Sequence, residues 1–318
     1  MFWWMPATTA DPVKKLWLRR TAMVAATLVL LWLTARAVGI QALVAGGQVL
    51  TPLTVFAALL AGLIVALTQA IRWKILAAEQ RIDLSFRRAW GDCYASAFGN
   101  MILPGGLGGD AARVAVYRHR GRQHWWSPLL AVGAERLSAT ACLFIATALV
   151  LGVSAERGEA QWPVVIVAAV AAVVFLAAAI VCLRGLPAPR QVIVWGTSAL
   201  SVLTLIALFL LAMAQLSGPL HAPVATVGLA SMSLPVGVGG WGVREFSVGA
   251  LAPAMGVPAE QAVTAATGYG LLAVVSTLPG AAVLTWGARR RAVQQGPTKA
   301  EAERDQNAQT PVDEERQA

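Results

Sequence analysis

The chain has 318 residues, of which 57% are hydrophobic and 13% charged, with a formal charge of +9 at neutral pH. Soluble domains carry roughly one-quarter charged residues, so the composition excludes an ordinary water-soluble globule and points to a membrane. The basic residues are scattered between apolar segments and not gathered on one face, which argues against nucleic acid.

Crossing about 30 Å of hydrocarbon takes roughly 20 apolar residues. Runs of that kind lie near 21–43, 52–71, 128–152, 162–183, 192–216 and 263–287, which predicts six spanning helices. Ahead of them, residues 1–20 read as a cytoplasmic segment with Lys14, Lys15, Arg19 and Arg20. Arg72, Lys74, Arg81, Arg87, Arg88, Arg118, Arg120, Arg122, Arg184, Arg190 and Arg289 to Arg291 then share that side. Mainly Arg157 and Arg244 fall opposite, as the positive-inside rule demands. Residues 1–37 also carry the pattern of a cleavable signal peptide, with an apolar run from Thr21 to Leu33 and Ala35-Arg36-Ala37. Either reading leaves the same downstream topology, and Arg36 near the outer end of the first run reads as snorkelling.

Two weaker segments interrupt this series: AWGDCYASAFGNMILPGGLGGDAA, residues 89–112, and APVATVGLASMSLPVGVGGWGV, residues 222–243. Both are rich in Gly and Ser, both are broken by a proline, Pro104 or Pro235, and neither makes a convincing span. They contain one phrase twice, LPxGxGGxxxR, at 103–113 and again at 234–244, an offset of 131 residues. Two apolar runs precede each copy and one follows. The chain therefore divides into repeat 1 (21–152) and repeat 2 (153–287). With three crossings in each, the second repeat is inverted relative to the first. Such 3+3 inverted repeats with broken segments near the midplane are a recurring plan of transporters. Segments at 89–112 and 222–243 are accordingly expected to be re-entrant hairpins, since irregular backbone at that depth must line protein or a watery cavity.

The phrase itself suits an anion. Pro104 and Pro235 stop a helix, and Gly106, Gly108, Gly109, Gly237, Gly239 and Gly240 permit positive φ and close backbone approach. A turn feeding a new helix presents free N–H groups, and Arg113 or Arg244 would add a charged fork shaped for phosphate. The alternative is that the glycines serve helix packing and the arginines snorkel. Asp110 and Glu245 flank the arginines and could orient them, although helix-start preference explains Asp110 nearly as well. Glu135 and Arg136 lie inside the third run, where charge is costly enough to suggest function. Neighbours on a helix point about 100° apart, so Glu135 is assigned to Arg113, and Arg136 to a head group or a carboxylate.

Other signals are negative. Gly237, Gly239 and Gly242, with Trp241 between them, formally make a GxGxxG dinucleotide fingerprint, but no βαβ unit surrounds it. Cys93, Cys142 and Cys182 lack CxxC spacing, and His119, His124 and His221 lack metal-ligand spacing. Ser231 and Ser233 have no companion histidine, so neither catalysis nor a metal or cofactor is expected. Residues 288–318 balance six basic against six acidic side chains and read as a disordered cytoplasmic tail.

On these residues the chain resembles a flippase-like membrane family that includes the transmembrane region of lysylphosphatidylglycerol synthases. The likeness spans roughly residues 15–290 and is carried by Leu103 to Arg113, Glu135-Arg136, Gly239-Gly-Trp-Gly-Val-Arg-Glu245, Gly256-Val257 and Leu278-Pro279-Gly280. The resemblance implies an all-α inner-membrane protein that moves an anionic or aminoacylated phospholipid, or a lipid-linked precursor, between leaflets. Larger members carry a separate soluble domain that makes the aminoacylated lipid, and no such domain follows here, so transferase activity is not implied. Two other functions stay open: an accessory subunit for a separate lipid synthase or glycosyltransferase, and an intramembrane transferase acting on lipid-linked substrates. In the leading reading Arg113 meets phosphate from the cytoplasmic side and Arg244 from the outer side, with Glu135 and Arg136 between them.

Overall fold

A computed structural model describes residues 12–118, 124, 126–216 and 220–295, and among these there are helices, turns and no β-strand. Eleven α-helices follow in order: α1 (Pro12–Val38), α2 (Ile40–Ala45), α3 (Pro52–Glu79), α4 (Phe86–Ile102), α5 (Gly108–Tyr117), α6 (Ser127–Glu156), α7 (Trp162–Leu183), α8 (Ala188–Leu216), α9 (Ala222–Ser231), α10 (Val243–Leu251) and α11 (Ala259–Gln295). Short 3₁₀ turns at Gly46–Val49 and Ala252–Met255 follow α2 and α10. Six stretches are long and apolar enough to cross a membrane: Arg20–Val38 of α1, all of α3, α6, α7 and α8, and Ala259–Thr285 of α11.

Local chemistry sets the element boundaries. Thr51 caps α3 in a reciprocal box with Thr54, and Pro52, Pro128 and Pro163 occupy first turns, where a missing N–H costs nothing. The first apolar run, expected over 21–43, breaks at Gly39, whose φ of 91° ends α1. The second extends eight residues past the expected 71, because Arg72, Lys74 and Glu79 still belong to the helix. The last continues through 288–295, where composition predicts a disordered tail; Ala, Arg and Gln are strong helix formers. Residues 1–11, His119 and 296–318 lie outside the described residues.

Packing relies on small residues and on polar pairs, as expected where lipid removes the usual hydrophobic drive between helices. A Cβ added to Gly62 of α3 would lie 2.1 Å from the Ser276 carbonyl of α11. Thr68 of α3 and Ser201 of α8 share a hydrogen bond of 2.7 Å. Helices α6 and α7 stack Phe144 on Phe175 with ring centroids 4.9 Å apart. Phe209 of α8 stacks on Tyr269 of α11 within one buried cluster, and a second cluster gathers Trp73, Ala89, Cys93, Tyr117 and Val132.

Apart from short α2, the remaining helices form two antiparallel hairpins. In the first, α4 and α5 are held by contacts that run in opposite directions along them: Asn100 to Gly109, Ser96 to Asp110, Cys93 to Arg113 and Asp92 to Tyr117. In the second, Met232 beyond α9 meets Arg244, and Gly228 faces Val248 of α10. At 1.5 Å per residue, helices of 10, 10 and 9 residues, α5, α9 and α10, are too short to cross the hydrocarbon.

Candidate functional site: two hairpin tips and a buried ion network

The tips of the two hairpins touch. Pro104 and Val238 form an isolated antiparallel bridge, and the Gly105 N–H donates to the Gly237 carbonyl at 2.7 Å. Helix α1 lies across this junction, its Thr27 hydroxyl accepting the Val238 N–H at 2.9 Å. The two copies of LPxGxGGxxxR therefore meet each other directly.

Around the first copy the side chains assemble a charged network. Helix α5 opens at Gly108 because Asn100 of α4 places its side-chain oxygen on the Gly109 and Asp110 N–H groups, at 2.8 and 3.2 Å. That satisfies free donors of the first turn from a neighbouring helix. Gly109 is also a contact point, since a Cβ there would lie 2.0 Å from the Ser96 carbonyl. Asp110, in the same first turn, accepts from Ser96 at 2.7 Å, Asn100 at 3.1 Å, Arg113 at 3.1 Å and Arg136 at 2.6 Å. Arg113 sits three residues on, on the same helix face, with its guanidinium 4.7 Å over the Trp73 ring. Its Nη1 lies 3.0 Å from Glu135 Oε2 and donates to Cys93 Sγ at 3.3 Å. Gln69 of α3 donates to the other Glu135 oxygen at 2.7 Å.

Exposure distinguishes the two neighbours on α6. The Glu135 side chain is 1% exposed, while that of Arg136 is 43% exposed and still bound to Asp110. Arg136 is thus the open end of an ion network whose other members are enclosed. Beside it the tip of the hairpin carries Ile102, Leu103 and Leu107, all exposed and apolar.

The second copy is arranged differently. Arg244 and Glu245 pair with each other, both side chains at 0% exposure. The Arg244 guanidinium lies 5.0 Å from the Trp241 ring centre and 5.5 Å from that of Tyr269. Glu245 turns back to accept the Gly242 N–H at 2.8 Å, which caps its own helix. Gly270 leaves room for the guanidinium: a Cβ there would sit 2.0 Å from Nη2. Arg244, expected to meet phosphate from the outer side, is enclosed by protein in this conformation. The glycines differ too. Gly106 and Gly237 both adopt positive φ, but Gly108 and Gly109 are helical, whereas Gly239 and Gly240 have φ of 57° and 79°.

Several polar members carried no motif: Gln69, Ser96, Asn100 and Asp92 were not singled out from the sequence, and Arg72 was read only as a topology marker. Asp92 accepts from Tyr117, whose hydroxyl also accepts from Arg88 at 3.0 Å, so the base of the hairpin is closed by a second polar cluster. Their only signal was polarity at helical spacing in apolar surroundings, Ser96 and Asn100 four apart on α4. Among the described residues there is no group of three His, Cys, Asp or Glu that could hold a metal ion.

Six membrane-length apolar helices around two buried ion clusters define a multi-pass integral membrane protein. Residues 20–196, more than half of the chain, match the family described as lysylphosphatidylglycerol synthase TM region, and the chain belongs to that family. Neither curated proteins nor solved structures yield a match. The matched stretch includes Arg72, the first hairpin, Glu135 and Arg136; the second phrase lies beyond it.

Proposed function

We propose that this protein moves an anionic phospholipid or a lipid-linked precursor between leaflets, and that Asp110, Arg113, Glu135 and Arg136 bind the head group. The observation that carries the proposal is the Asp110 carboxylate, which joins enclosed Arg113 to half-open Arg136. A phosphate arriving at Arg136 meets a cation already oriented by a buried partner, and it can reach Arg113 only by displacing Asp110 or Glu135. Guanidinium groups suit phosphate through bidentate donation. The exposed Ile102, Leu103 and Leu107 beside the network offer acyl chains an apolar edge, so the polar and apolar parts of a lipid find neighbouring surfaces.

In this reading the hairpins enter the bilayer from opposite faces of a bacterial inner membrane, with both termini cytoplasmic, and their tips meet near its middle as inverted repeats. The short lengths of α5, α9 and α10 and the bridge between the tips support that placement. Arg244 and Glu245 serve as an internal anchor for the second hairpin and do not themselves receive lipid. The proposal involves binding and movement and no bond-making step.

Reconstitution in liposomes tests it. Leaflet exchange of labelled phosphatidylglycerol should exceed that of phosphatidylcholine and fall at least tenfold in Arg136→Gln, whose effect on folding should be small because the side chain is 43% exposed. Equal exchange of both lipids, or a wild-type rate in Arg136→Gln, would contradict the proposal. Restored activity only on adding a separate synthase would favour the accessory reading.

A further inference from the structure

Arg72 of α3 is 3% exposed, yet among the described residues its one hydrogen bond goes from Nη1 to the Ser201 hydroxyl at 3.0 Å. Its Nε has no partner, and among the described residues no carboxylate is in ion-pair contact with it. A guanidinium enclosed with a single neutral acceptor is costly, so such a residue calls for a reason. One turn earlier on the same face, Gln69 holds Glu135 by Oε1. Burial disfavours the Arg72 charge, and the Glu135 carboxylate favours it.

The other Glu135 oxygen is the informative atom. Oε2 forms an ion pair with Arg113 Nη1 at 3.0 Å without the alignment of a hydrogen bond, and Arg113 Nε is enclosed without an acceptor. One carboxylate oxygen is thus held by the Arg113 charge without an aligned hydrogen bond, while Arg113 and Arg72 each keep a buried Nε that has no acceptor. Arg113 is additionally claimed by Asp110 and Cys93, while among the described residues Arg72 is claimed only by Ser201.

We propose that Arg72 is the waiting counter-ion for Glu135: when an anionic head group takes Arg113, the Glu135 carboxylate, still held by Gln69, turns Oε2 from Arg113 to Arg72. This deepens the head-group reading and rests on it. Without Arg72, phosphate binding at Arg113 would strand Glu135 as an enclosed unpaired anion, whose cost would be subtracted from lipid affinity. With Arg72 the network has two arrangements, one empty and one loaded, both with paired charge. Arg72 is accordingly a positioning residue that acts through Glu135 and does not touch lipid.

A double-mutant cycle on the full-length purified protein tests this, with short-chain phosphatidylglycerol as the probe and tryptophan fluorescence as the readout. Arg72→Gln should weaken binding about tenfold when Glu135 is present and less than about twofold in the Glu135→Gln background, a coupling within the range of neighbouring residues. Arg72→Lys should recover most of the loss. Ser201→Ala, which frees Arg72 without removing a charge, should tighten binding, a direction that a merely structural Arg72 does not give. Equal losses from Arg72→Gln in both backgrounds, or weaker binding in Ser201→Ala, would overturn the exchange. Should Arg113→Gln and Arg136→Gln also leave phosphatidylglycerol affinity unchanged, the head-group site itself is wrong; should they abolish binding while the cycle is additive, only the exchange is wrong.

Discussion

In the first hairpin the helix starts at Gly108, five residues before Arg113, whereas in the second it starts at Val243, one residue before Arg244. The shared phrase supplies a glycine-rich turn and an arginine in each copy, and the neighbours decide what they become. At the first copy Asn100 reaches across from α4 to start the helix early, and Glu135 and Arg136 extend the ion network to an open edge. The residues 131 positions later are Ser231, Ala266 and Thr267. Ser231 spends its hydroxyl on the Gly228 carbonyl, and neither Ala266 nor Thr267 brings charge. The second arginine is left with Glu245 and two aromatic rings, a closed unit. One hairpin thus keeps an ion network with a partly exposed end at Arg136, and the other keeps its arginine enclosed.

The comparison can be broken most sharply at the arginines. Arg244→Ala strands Glu245 without solvent or counter-ion, and removing one member of such a pair costs about 3–5 kcal/mol. Denaturant or thermal unfolding in detergent should show that loss. Arg136→Gln removes a partner that is 43% exposed and leaves Asp110 three other donors, so its cost should stay near or below about 1 kcal/mol. Losses of similar size in both variants would dissolve the distinction between anchor and site.

Glycine substitutions sharpen it next. Gly109→Ala drives a Cβ into the Ser96 backbone and should cost about 1–3 kcal/mol by overpacking. Gly240→Ala instead pays for a left-handed backbone, about 1–2 kcal/mol. Asparagine, which tolerates that conformation, should recover part of the stability at position 240 and none at 109. Recovery at both positions would show that the two turns are conformationally alike after all.

Smaller effects probe the supports. Asn100→Ala removes the cap on α5 and should cost about 1 kcal/mol, together with a weaker response to phosphatidylglycerol, since Asp110 loses its orientation. Thr27→Val removes one hydrogen bond to the second tip, worth about 0.5–1.5 kcal/mol. It should leave head-group selectivity intact, and a changed ratio between phosphatidylglycerol and phosphatidylcholine would place α1 in the site.

The spans were legible in the sequence because their chemistry is local. Run 162–183 coincides with α7, bounded by Gln161 on one side and Arg184 on the other. Arg72 shows where that logic stops: a basic residue at the end of an apolar run reads as an interfacial topology marker, yet here it is enclosed between α3 and α8. The motif arginines, Asp110, Glu135 and Arg136 could be picked out by their charge. Which of them is open and which is sealed depends on Asn100, Tyr269 and Gly270, whose roles arise only when distant helices meet. For the same reason the phrase could not reveal that its two copies start their helices at different positions.

The central claim, that lipid head groups use the first hairpin and not the second, is most directly tested by photocrosslinking. A benzophenone amino acid at Leu107 or at Val236, both exposed tip residues, would be illuminated in liposomes of phosphatidylglycerol, and the lipid adduct weighed by mass spectrometry. The account expects strong labelling at position 107, loss of most of it in Arg136→Gln, and labelling at 236 that does not respond to Arg136. Labelling at 107 that survives Arg136→Gln unchanged, or labelling at 236 that depends on Arg244, would contradict it.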